Sequence, residues 1–541
     1  MKITFISIAC CAIFITNAYA QELKESVQPL SGKAIKGFLY DVSKDADGNT
    51  NIIYQMKVDK KSDEVAYEKY TFDKALKFTD AVDTKVAKEQ KEDVQRIMYY
   101  ATVGGKNSFD VLSMKLKLNK METLTTWDHK KHKYVFKKII SNETIKPKND
   151  EGKVYLGYAS YSSEDNSKSN VLVLAKIESK GKNQVDQFKI LLFSDKLEIT
   201  EKPLDLPGDY SLIYCEQLEN EDAVMIFAPK KGAADITKYM YYQFDIEGNQ
   251  KYKTEFKSPA SALLITAAYE KDGNLYFFGT STKSSDPFEK VFEEYAPIRC
   301  PGFPDGNNNF QDSKWRKSMK ETMNNFHLLK FTGSKLDFAS TTPVDEFKAK
   351  FKTAAGDKGA TAYKGKNFFI ENFYVTKAEE YLVAGQLKST VMMGTSNIVD
   401  SYEDIICFHF DKTGNLKAQY GIGKMNSDKK SEIFDMKQNF YPSPDGKSLY
   451  WELMEIKGTK GYASMMDAYN GTPTFYPLYF PRIVKIDLAG TSMGKIQVLG
   501  DEKYYLRKDF PSMFDTKENS ITYIGQDEDG KKLWIGKALL D

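Results

Sequence analysis

The sequence is poor in the residues from which most metal and redox centres are built. It holds four histidines and five cysteines among 541 residues. Two of the cysteines fall near residue 10, so Cys215, Cys300 and Cys407 remain for the body of the chain. Three thiols close at most one disulfide, which excludes a disulfide-built scaffold. Cys215 and Cys407 stand in apolar runs and are expected to be buried strand residues.

An excess of either charge is also missing. Lys and Arg number 77 and Asp and Glu 75, a formal net charge of +2, and the two signs are interleaved along the chain. A nucleic-acid-binding surface needs basic residues in clear excess, so nucleic acid is not an expected partner. The mean hydropathy of -0.51, with 28% charged residues, is typical of a water-soluble surface.

Long hydrophobic runs are confined to the N-terminus. A lysine precedes the uncharged, mostly apolar stretch 3–15, and an Ala-Tyr-Ala site ends at Ala20. This is the pattern of a cleaved signal peptide, and the stretch is shorter than the about 20 residues of a membrane-spanning helix. We therefore expect residues 1–20 to be removed and residues 21–541 to be exported, to the periplasm or the exterior of a bacterium. A lipoprotein cut at one of the nearby cysteines is the alternative.

Strand-forming segments dominate the rest of the chain. Tyr and Phe number 34 each, and short Val, Ile, Tyr and Phe runs are broken every 8 to 15 residues by turn residues. A hairpin pattern recurs, most clearly as an apolar strand followed by Asp-x-x-Gly-Asn at Asp245 and at Asp411. Repeated small sheets complete a core by stacking around an axis. The sequence predicts an all-β fold, a β-propeller of seven or eight blades, with two packed β domains as the alternative.

Two further features bear on this prediction. The last strand, residues 532–540, is expected to pair with a strand from the N-terminus and so close the ring. The segment Tyr441-Pro442-Ser443-Pro444-Asp445-Gly446-Lys447 resembles the turn of the WD40-like repeats in TolB-type and prolyl-oligopeptidase-type propellers. The resemblance covers about a dozen residues of one repeat, so it implies a propeller fold and no particular function.

Two insertions interrupt the strand rhythm of the single domain. The first, 284–325, contains helix-like segments separated by a Pro, Gly and Asn loop, and the second, 458–481, is dense in Gly, Met and aromatic residues. Long loops on a rigid β scaffold often carry function, although both insertions also fit a packing role. Rigid aromatic side chains provide large contact areas for sugars or apolar groups. The candidate ligand-binding residues are Tyr462, Tyr469, Phe475, Tyr476 and Tyr479.

Several motifs of catalytic and metal-binding sites occur in the sequence only in incomplete form. Gly490-Thr491-Ser492-Met493-Gly494 satisfies G-x-S-x-G, but strand-like sequence follows it and no histidine lies beyond His409, which indicates a hairpin turn. The pair His129 and His132 is expected to be solvated rather than metal-bound. No metal site and no cofactor are predicted. Alternating acids precede a glycine at Asp45 and at Asp527, so calcium stays an alternative to plain turns there.

Two functions remain open. The first is a non-catalytic binding or interaction protein that uses propeller loops to hold a glycan, a peptide or a partner protein of the envelope. The second is a secreted carbohydrate-active enzyme whose carboxylates converge in the propeller channel, where two acids would cleave a glycosidic bond. Catalysis itself stays undecided, with no acid singled out, because the separation of carboxylates is a three-dimensional quantity.

Overall fold

The structure is a computed structural model of the chain. It describes residues 23–57, 62–88, 91–103, 114–128, 130–131, 133–145, 153–162, 169–177, 185–194, 198–292, 323–357, 359–366, 368–393, 397–425, 432–461, 475–500, 503–506 and 512–540. The predicted signal peptide lies outside these residues, as do Cys300, His129, His132 and most of the insertion 284–325.

Within the described residues, the strands form eight small sheets that follow one another along the chain. We number the sheets from 1 to 8. Sheet 1 contains β2 (Phe38–Lys44), β3 (Thr50–Gln55), β4 (Glu64–Phe72) and β5 (Phe78–Ala87). Sheet 2 contains β6 (Lys91–Val103), β7 (Met114–Asp128) and β8 (Lys133–Ile145). Sheet 3 contains β9 (Lys153–Ser162), β10 (Ser169–Ile177), β11 (Gln187–Ser194) and β12 (Ile199–Leu204). Sheet 4 contains β13 (Tyr210–Gln217), β14 (Ala223–Pro229), β15 (Lys238–Phe244) and β16 (Gln250–Lys257).

The second half of the chain repeats this arrangement. Sheet 5 contains β17 (Leu264–Lys271), β18 (Asn274–Ser281), β19 (Asn325–Thr332) and β20 (Lys335–Pro343). Sheet 6 contains β21 (Phe351–Thr353), β22 (Phe368–Val375), β23 (Tyr381–Met393), β24 (Asn397–Phe410) and β25 (Leu416–Ile422). Sheet 7 contains β26 (Gln438–Pro442), β27 (Ser448–Gly461), β28 (Phe475–Asp487), β29 (Ser492–Met493) and β30 (Gln497–Val498). Sheet 8 contains β31 (Tyr504–Leu506), β32 (Met513–Asp515), β33 (Ser520–Asp527), β34 (Lys532–Leu539) and β1 (Leu23–Pro29).

Helices are short in the described part of the chain. They are a 3-10 helix at Ala34–Lys36, α1 at Phe288–Phe292 and α2 at Val344–Ala349. Helix α1 falls in the first insertion, where the sequence indicates helix, and it buries Phe288 and Phe292. Among the same residues, no helix combines the length and the apolar character needed to span a membrane.

The sheets pack side by side around an axis. The first strands of neighbouring sheets contact each other in the order β9, β13, β17, β22 and β26. Separate apolar cores fill the spaces between sheets 3 and 4, 4 and 5, 5 and 6, 6 and 7, 7 and 8, and 8 and 1. Sheets 1 and 3 to 8 therefore bury apolar faces against a neighbouring sheet, and the predicted all-β propeller is confirmed.

The ends of the chain meet in sheet 8. Strand β1 pairs antiparallel with β34 over seven register positions, from Leu23 opposite Ala538 to Pro29 opposite Lys532. The predicted closure by the last strand and an N-terminal strand is confirmed. This pairing leaves no free edge on β34, which lies between β1 and β33.

Turn chemistry explains the repeated hairpin pattern. The carboxylates of Asp45, Asp245 and Asp411 each accept the backbone N–H of the asparagine four residues on, at 2.8–3.0 Å, and also its side-chain amide. The glycine between them has a φ of 71–81°, which a residue without a side chain adopts without strain. At Asp527, Oδ1 accepts the N–H groups of Lys531 and Lys532. Asp45 and Asp527 each lie in a hairpin turn.

Local contacts describe three further features of the sequence. In the turn before β27, Asp445 Oδ1 accepts the hydroxyl of Ser443 at 2.7 Å, and the Ser443 hydroxyl oxygen accepts the Ser448 N–H at 3.0 Å. Ser492 stands on the two-residue strand β29 opposite Asp487 of β28, so G-x-S-x-G is a hairpin turn. Cys215 and Cys407 are buried free thiols.

Both insertions lie at the same edge of the propeller. In an antiparallel four-stranded sheet the second and third strands are joined at the edge where the first strand begins. The insertion 284–325 joins β18 to β19, and the insertion 458–481 joins β27 to β28. Both therefore leave their sheets at this edge, which we call the insertion edge. Parts of the second insertion are strand rather than loop, since β27 runs to Gly461 and β28 starts at Phe475.

Candidate functional site

The predicted aromatic residues belong to the hairpin of β27 and β28. Phe475, Tyr476 and Tyr479 lie on β28, opposite Gly461, Lys460 and Ile456 of β27 in turn. Tyr462 and Tyr469 lie outside the described residues. The structure therefore brings three of the five candidates onto one strand at the insertion edge.

Tyr479 has a packing role. Its ring lies against the core between sheets 6 and 7 and against the core between sheets 7 and 8. Its hydroxyl donates to the carbonyl oxygen of Asp435 at 3.3 Å, and burial raises the pKa of the phenol. Tyr479 therefore ties the base of the aromatic hairpin to the segment that connects sheets 6 and 7.

An ionic cluster stands next to this contact. Lys437 Nζ lies 2.8 Å from Glu371 Oε1 and 2.8 Å from Asp435 Oδ2. The Glu371 side chain is only 7% exposed, whereas that of Lys437 is 61% exposed. Burial raises the pKa of Glu371 to about 7, against the opposing effect of the Lys437 ammonium. Burial and the ammonium therefore act in opposite directions on this carboxyl, and burial has the larger effect.

Backbone contacts hold the cluster in place. Glu371 lies on β22, the edge strand of sheet 6 that contacts β17 and β26, and the next residue, Asn372, donates from Nδ2 to the Gln438 carbonyl at 2.8 Å. The buried Gln386 accepts the Met436 N–H at 2.8 Å through Oε1. These two amides fix the connecting segment on both sides of Lys437. We call Glu371, Asp435, Lys437 and Tyr479 the junction cluster.

A second carboxyl with a raised pKa occurs two sheets earlier. Glu216 lies on β13, the first strand of sheet 4, and accepts the backbone N–H of Ala268 on β17. Burial raises the pKa of Glu216 to about 7. Glu216 and Glu371 therefore share two properties: each lies on a strand that contacts β17 of sheet 5, and burial raises the pKa of each carboxyl.

The charges of both carboxyls act on Tyr269. It lies on β17, between the strands that carry Glu216 and Glu371, and its hydroxyl donates to the Ile370 carbonyl at 3.2 Å. Burial raises the pKa of Tyr269, and the charges of Glu216 and Glu371 raise it further. Both carboxyls thus act on one phenol at the inner face of the ring.

The histidines of the described chain have structural partners. His327 is 1% exposed, and its ring nitrogens lie 3.1 Å from the Thr341 hydroxyl and 2.8 Å from the Ser281 hydroxyl. His409 is fully buried, 2.8 Å from a Glu380 carboxylate oxygen. No group of three or more His, Cys, Asp or Glu side chains suited to a metal ion occurs among the residues that the structure describes.

Glu216 and Glu371 were not identified from the sequence. Each interrupts an apolar strand, in SLIYCEQL and FFIENFYV. An acid inside such a run is the one local signal that was available, since a buried carboxyl needs a specific reason to be there. The sequence did not show that the two acids share a tyrosine.

No protein-family model and no curated protein matches the chain. Similar solved structures include an apocarotenoid oxygenase mutant of Synechocystis, with 9% identity, a TM-score of 0.24, and 87% of this chain and 88% of that one covered. An α-L-arabinofuranosidase of Fusarium graminearum has 8% identity and a TM-score of 0.22, with 71% and 93% covered. A Bacteroides caccae protein of unknown function has 11% identity and a TM-score of 0.18, with 58% and 90% covered. Likenesses this weak carry no argument about function.

Proposed function

We propose that this chain is an exported binding protein of a bacterial envelope that holds a glycan at the junction cluster, beneath the aromatic hairpin of β27 and β28. The observation that carries the proposal is the position of Tyr479. This residue joins the hairpin that bears the candidate aromatic residues to the charged groups around Lys437.

The chemistry of the junction cluster suits a hydroxyl-rich ligand. Carboxylates accept hydrogen bonds, an ammonium group donates them, and sugar hydroxyls do both. Aromatic rings stack on the apolar faces of sugars, and the insertion 458–481 contains Phe475, Tyr476, Tyr462 and Tyr469. Lys437 is the exposed member of the cluster, so it is the first group that a ligand meets.

Binding to a glycan array, followed by calorimetry with the best glycan, tests this proposal. We expect Tyr476→Ala and Lys437→Met each to weaken binding at least tenfold. Affinity is compared at a temperature at which both variants are folded, because Lys437→Met leaves the 7% exposed Glu371 without its ammonium partner. Lys335→Met is the matched control, because Lys335 is 81% exposed on the far strand of sheet 5. Binding of a peptide instead of any glycan, or wild-type affinity in both variants, contradicts the proposal.

A second candidate function, a carbohydrate-active enzyme, is favoured by Glu216 and Glu371. Two carboxyl groups with different partners, one as acid and one as base or nucleophile, are the usual equipment for glycoside hydrolysis. A carboxyl that is half-protonated near neutral pH suits general acid catalysis. Glu216 has one backbone donor, whereas Glu371 is paired with Lys437, so their environments differ.

Hydrolysis of nitrophenyl glycosides and plant or bacterial polysaccharides tests this second candidate. Activity should follow a bell-shaped pH profile near neutrality and fall at least a hundredfold in Glu216→Gln and in Glu371→Gln. Glu198→Gln, at an exposed turn of sheet 3, is the matched control. If the wild type binds a glycan without hydrolysing it, the enzyme hypothesis is contradicted and the binding-protein hypothesis is supported.

A further inference from the structure

The outer strand of sheet 1 has a free edge. The strands of this sheet lie in the order β2, β3, β4 and β5, so within the described part of the chain β5 pairs with β4 alone. Nine of the ten residues of β5 are exposed. The outer strands of sheets 3, 4 and 5, which are β12, β16 and β20, each bury at least one side chain. An exposed strand edge is a template for pairing with another strand.

The register of β5 shows which backbone groups this edge presents. The N–H of Lys88, just after β5, donates to the carbonyl oxygen of Asp63, just before β4, at 2.8 Å. In an antiparallel pair, alternate residues are hydrogen-bonded to the neighbouring strand. The residues that direct their N–H and C=O groups at β4 are therefore Val82, Thr84 and Val86. Those that direct them at the free edge are Ala81, Asp83, Lys85 and Ala87.

The side chains of β5 are complementary to those of a second β5. If two copies pair antiparallel about a two-fold axis at Thr84, Asp83 of each copy lies opposite Lys85 of the other, and Val82 lies opposite Val86. The two Asp–Lys pairs share one face of the sheet, and the two Val–Val pairs share the other face with Thr84. Opposite charges and β-branched side chains placed directly across two strands are stabilising.

The neighbouring two-fold registers lack this match. With the axis at Asp83, the Asp83 carboxylates of the two copies lie opposite each other. With the axis at Lys85, the two ammonium groups do. Like charges in these positions are destabilising. With the axis at Val82, Asp83 lies opposite Ala81 and has no partner of opposite charge. The register centred on Thr84 is therefore favoured over each of these three.

The side chains that this pairing uses are accessible. Asp83 lies 2.9 Å from Lys33 Nζ and Lys85 lies 3.3 Å from Glu64, but all four side chains are more than half exposed. Ion pairs between exposed groups contribute little to stability, so exchanging them for pairs with a second copy costs little. Val82 and Val86 are 40% and 50% exposed, and a second β5 would cover part of both.

We propose that two copies of this chain associate edge to edge through β5, antiparallel and centred on Thr84. Sheet 1 of each copy contributes four strands to one continuous sheet. Ala81 pairs with Ala87 and Asp83 with Lys85 through backbone hydrogen bonds across the new edge. One strand against one strand is a small interface, so the dimer dissociates on dilution.

This dimer has a consequence for the binding surfaces. Because the two β5 strands run in opposite directions, the insertion edges of the two copies face opposite ways. The proposal does not depend on the proposed function, since no residue of the junction cluster lies on β5.

Sedimentation velocity of the full mature chain over a concentration series tests the association. The wild type should show a monomer–dimer equilibrium. Asp83→Lys and Lys85→Asp should each raise the Kd of the dimer at least tenfold, because each places like charges opposite one another. The two substitutions together exchange the signs and should restore the wild-type Kd. Lys335→Asp is the matched control, because Lys335 is 81% exposed on the outer strand of sheet 5.

Two results of this experiment overturn the proposal. One is a wild type that stays monomeric up to about 1 mM, which excludes even a millimolar dimer. The other is a dimer whose Kd is unchanged in both single variants, since such a dimer uses another surface. Failure of the combined variant to restore the Kd overturns the register.

A cysteine at the two-fold axis tests the register directly. Thr84 of the two copies would form a non-hydrogen-bonded pair, with Cα atoms about 4.5 Å apart, which is within the range of a disulfide. Thr84→Cys in a Cys300→Ser background should give a covalent dimer on mild oxidation, since the two described cysteines, Cys215 and Cys407, are buried. Val82→Cys is the matched control on the same face and should stay monomeric, because its copies lie four positions apart. Equal cross-linking of both variants, or none of Thr84→Cys, overturns the proposal.

Discussion

Removing Arg482 should destabilise the protein strongly, because it leaves a buried carboxylate without its counter-charge. Arg482 on β28 is 6% exposed and Glu455 on β27 is fully buried, with Nη1 and Oε2 2.6 Å apart. Arg482 also donates to the Gly423 carbonyl at 3.0 Å, which joins sheet 7 to the end of β25. Breaking one side of a buried ion pair costs about 3–5 kcal/mol. We expect a loss of that size for Arg482→Met.

The loss should depend on pH. Burial raises the pKa of Glu455, and Arg482 opposes that rise. Without the guanidinium the pKa of Glu455 in the folded variant rises further above its unfolded value of about 4.3. A group with a raised folded pKa gives its full stabilisation below the unfolded pKa and loses it as pH rises through the folded pKa. Arg482→Met should therefore be least stable at pH 8 and should recover part of the loss by pH 5.

A second substitution separates charge burial from packing. Glu455→Gln keeps an oxygen that accepts the Met425 N–H, so Arg482→Met with Glu455→Gln should recover most of the stability lost in the single variant. Urea unfolding followed by the fluorescence of the buried Trp451 and Trp534 gives the free energy of unfolding at each pH. A single-variant loss below about 1 kcal/mol, an equal loss at pH 5 and pH 8, or no recovery in the double variant would refute the reasoning.

Three other outcomes are expected. Gly414→Ala should lower the free energy of unfolding in urea more than Gly446→Ala does. Both glycines have a positive φ, but only at Gly414 would a Cβ lie 2.6 Å from Phe338. Equal losses contradict this prediction. Burial lowers the pKa of His327 to about 4, so the free energy of unfolding should fall as pH drops from about 6.5 through 4. His327→Gln should make this fall smaller. An unchanged dependence of stability on pH contradicts the prediction. Deleting residues 21–29 removes β1 and should expose the edge of β34, which light scattering would detect as association; a monodisperse variant of unchanged stability contradicts it.

The local structure of this chain follows from short-range sequence patterns. The Asp-x-x-Gly-Asn turns form because each aspartate accepts the N–H groups of its own turn, so they were predicted from a few residues. Strand β14 shows the same locality, since every residue from Ala223 to Pro229 is buried and the sequence is a continuous apolar run. The seven or eight predicted blades agree with the eight sheets of the described chain.

The candidate site could be predicted only in part. Aromatic residues in an insertion pointed to the β27–β28 hairpin, but the packing of Tyr479 against two cores depends on sheets 6, 7 and 8 together. Glu216 and Glu371 lie 155 positions apart, and the charges of both act on Tyr269 because strands β13, β17 and β22 contact one another in turn. Sequence spacing carries no information about such proximity.

The sequence alone determined that this chain is an all-β protein, because its strand runs are broken by repeated turns. The scarcity of cysteine showed that a hydrophobic core, rather than disulfides, stabilises it. These properties are local or additive, so a linear reading reaches them. The tertiary structure decided which charged groups are buried: it placed Glu371 beside Lys437 and Glu455 beside Arg482. Burial and proximity set the pKa of a carboxyl, and both depend on contacts between sheets that are distant in sequence.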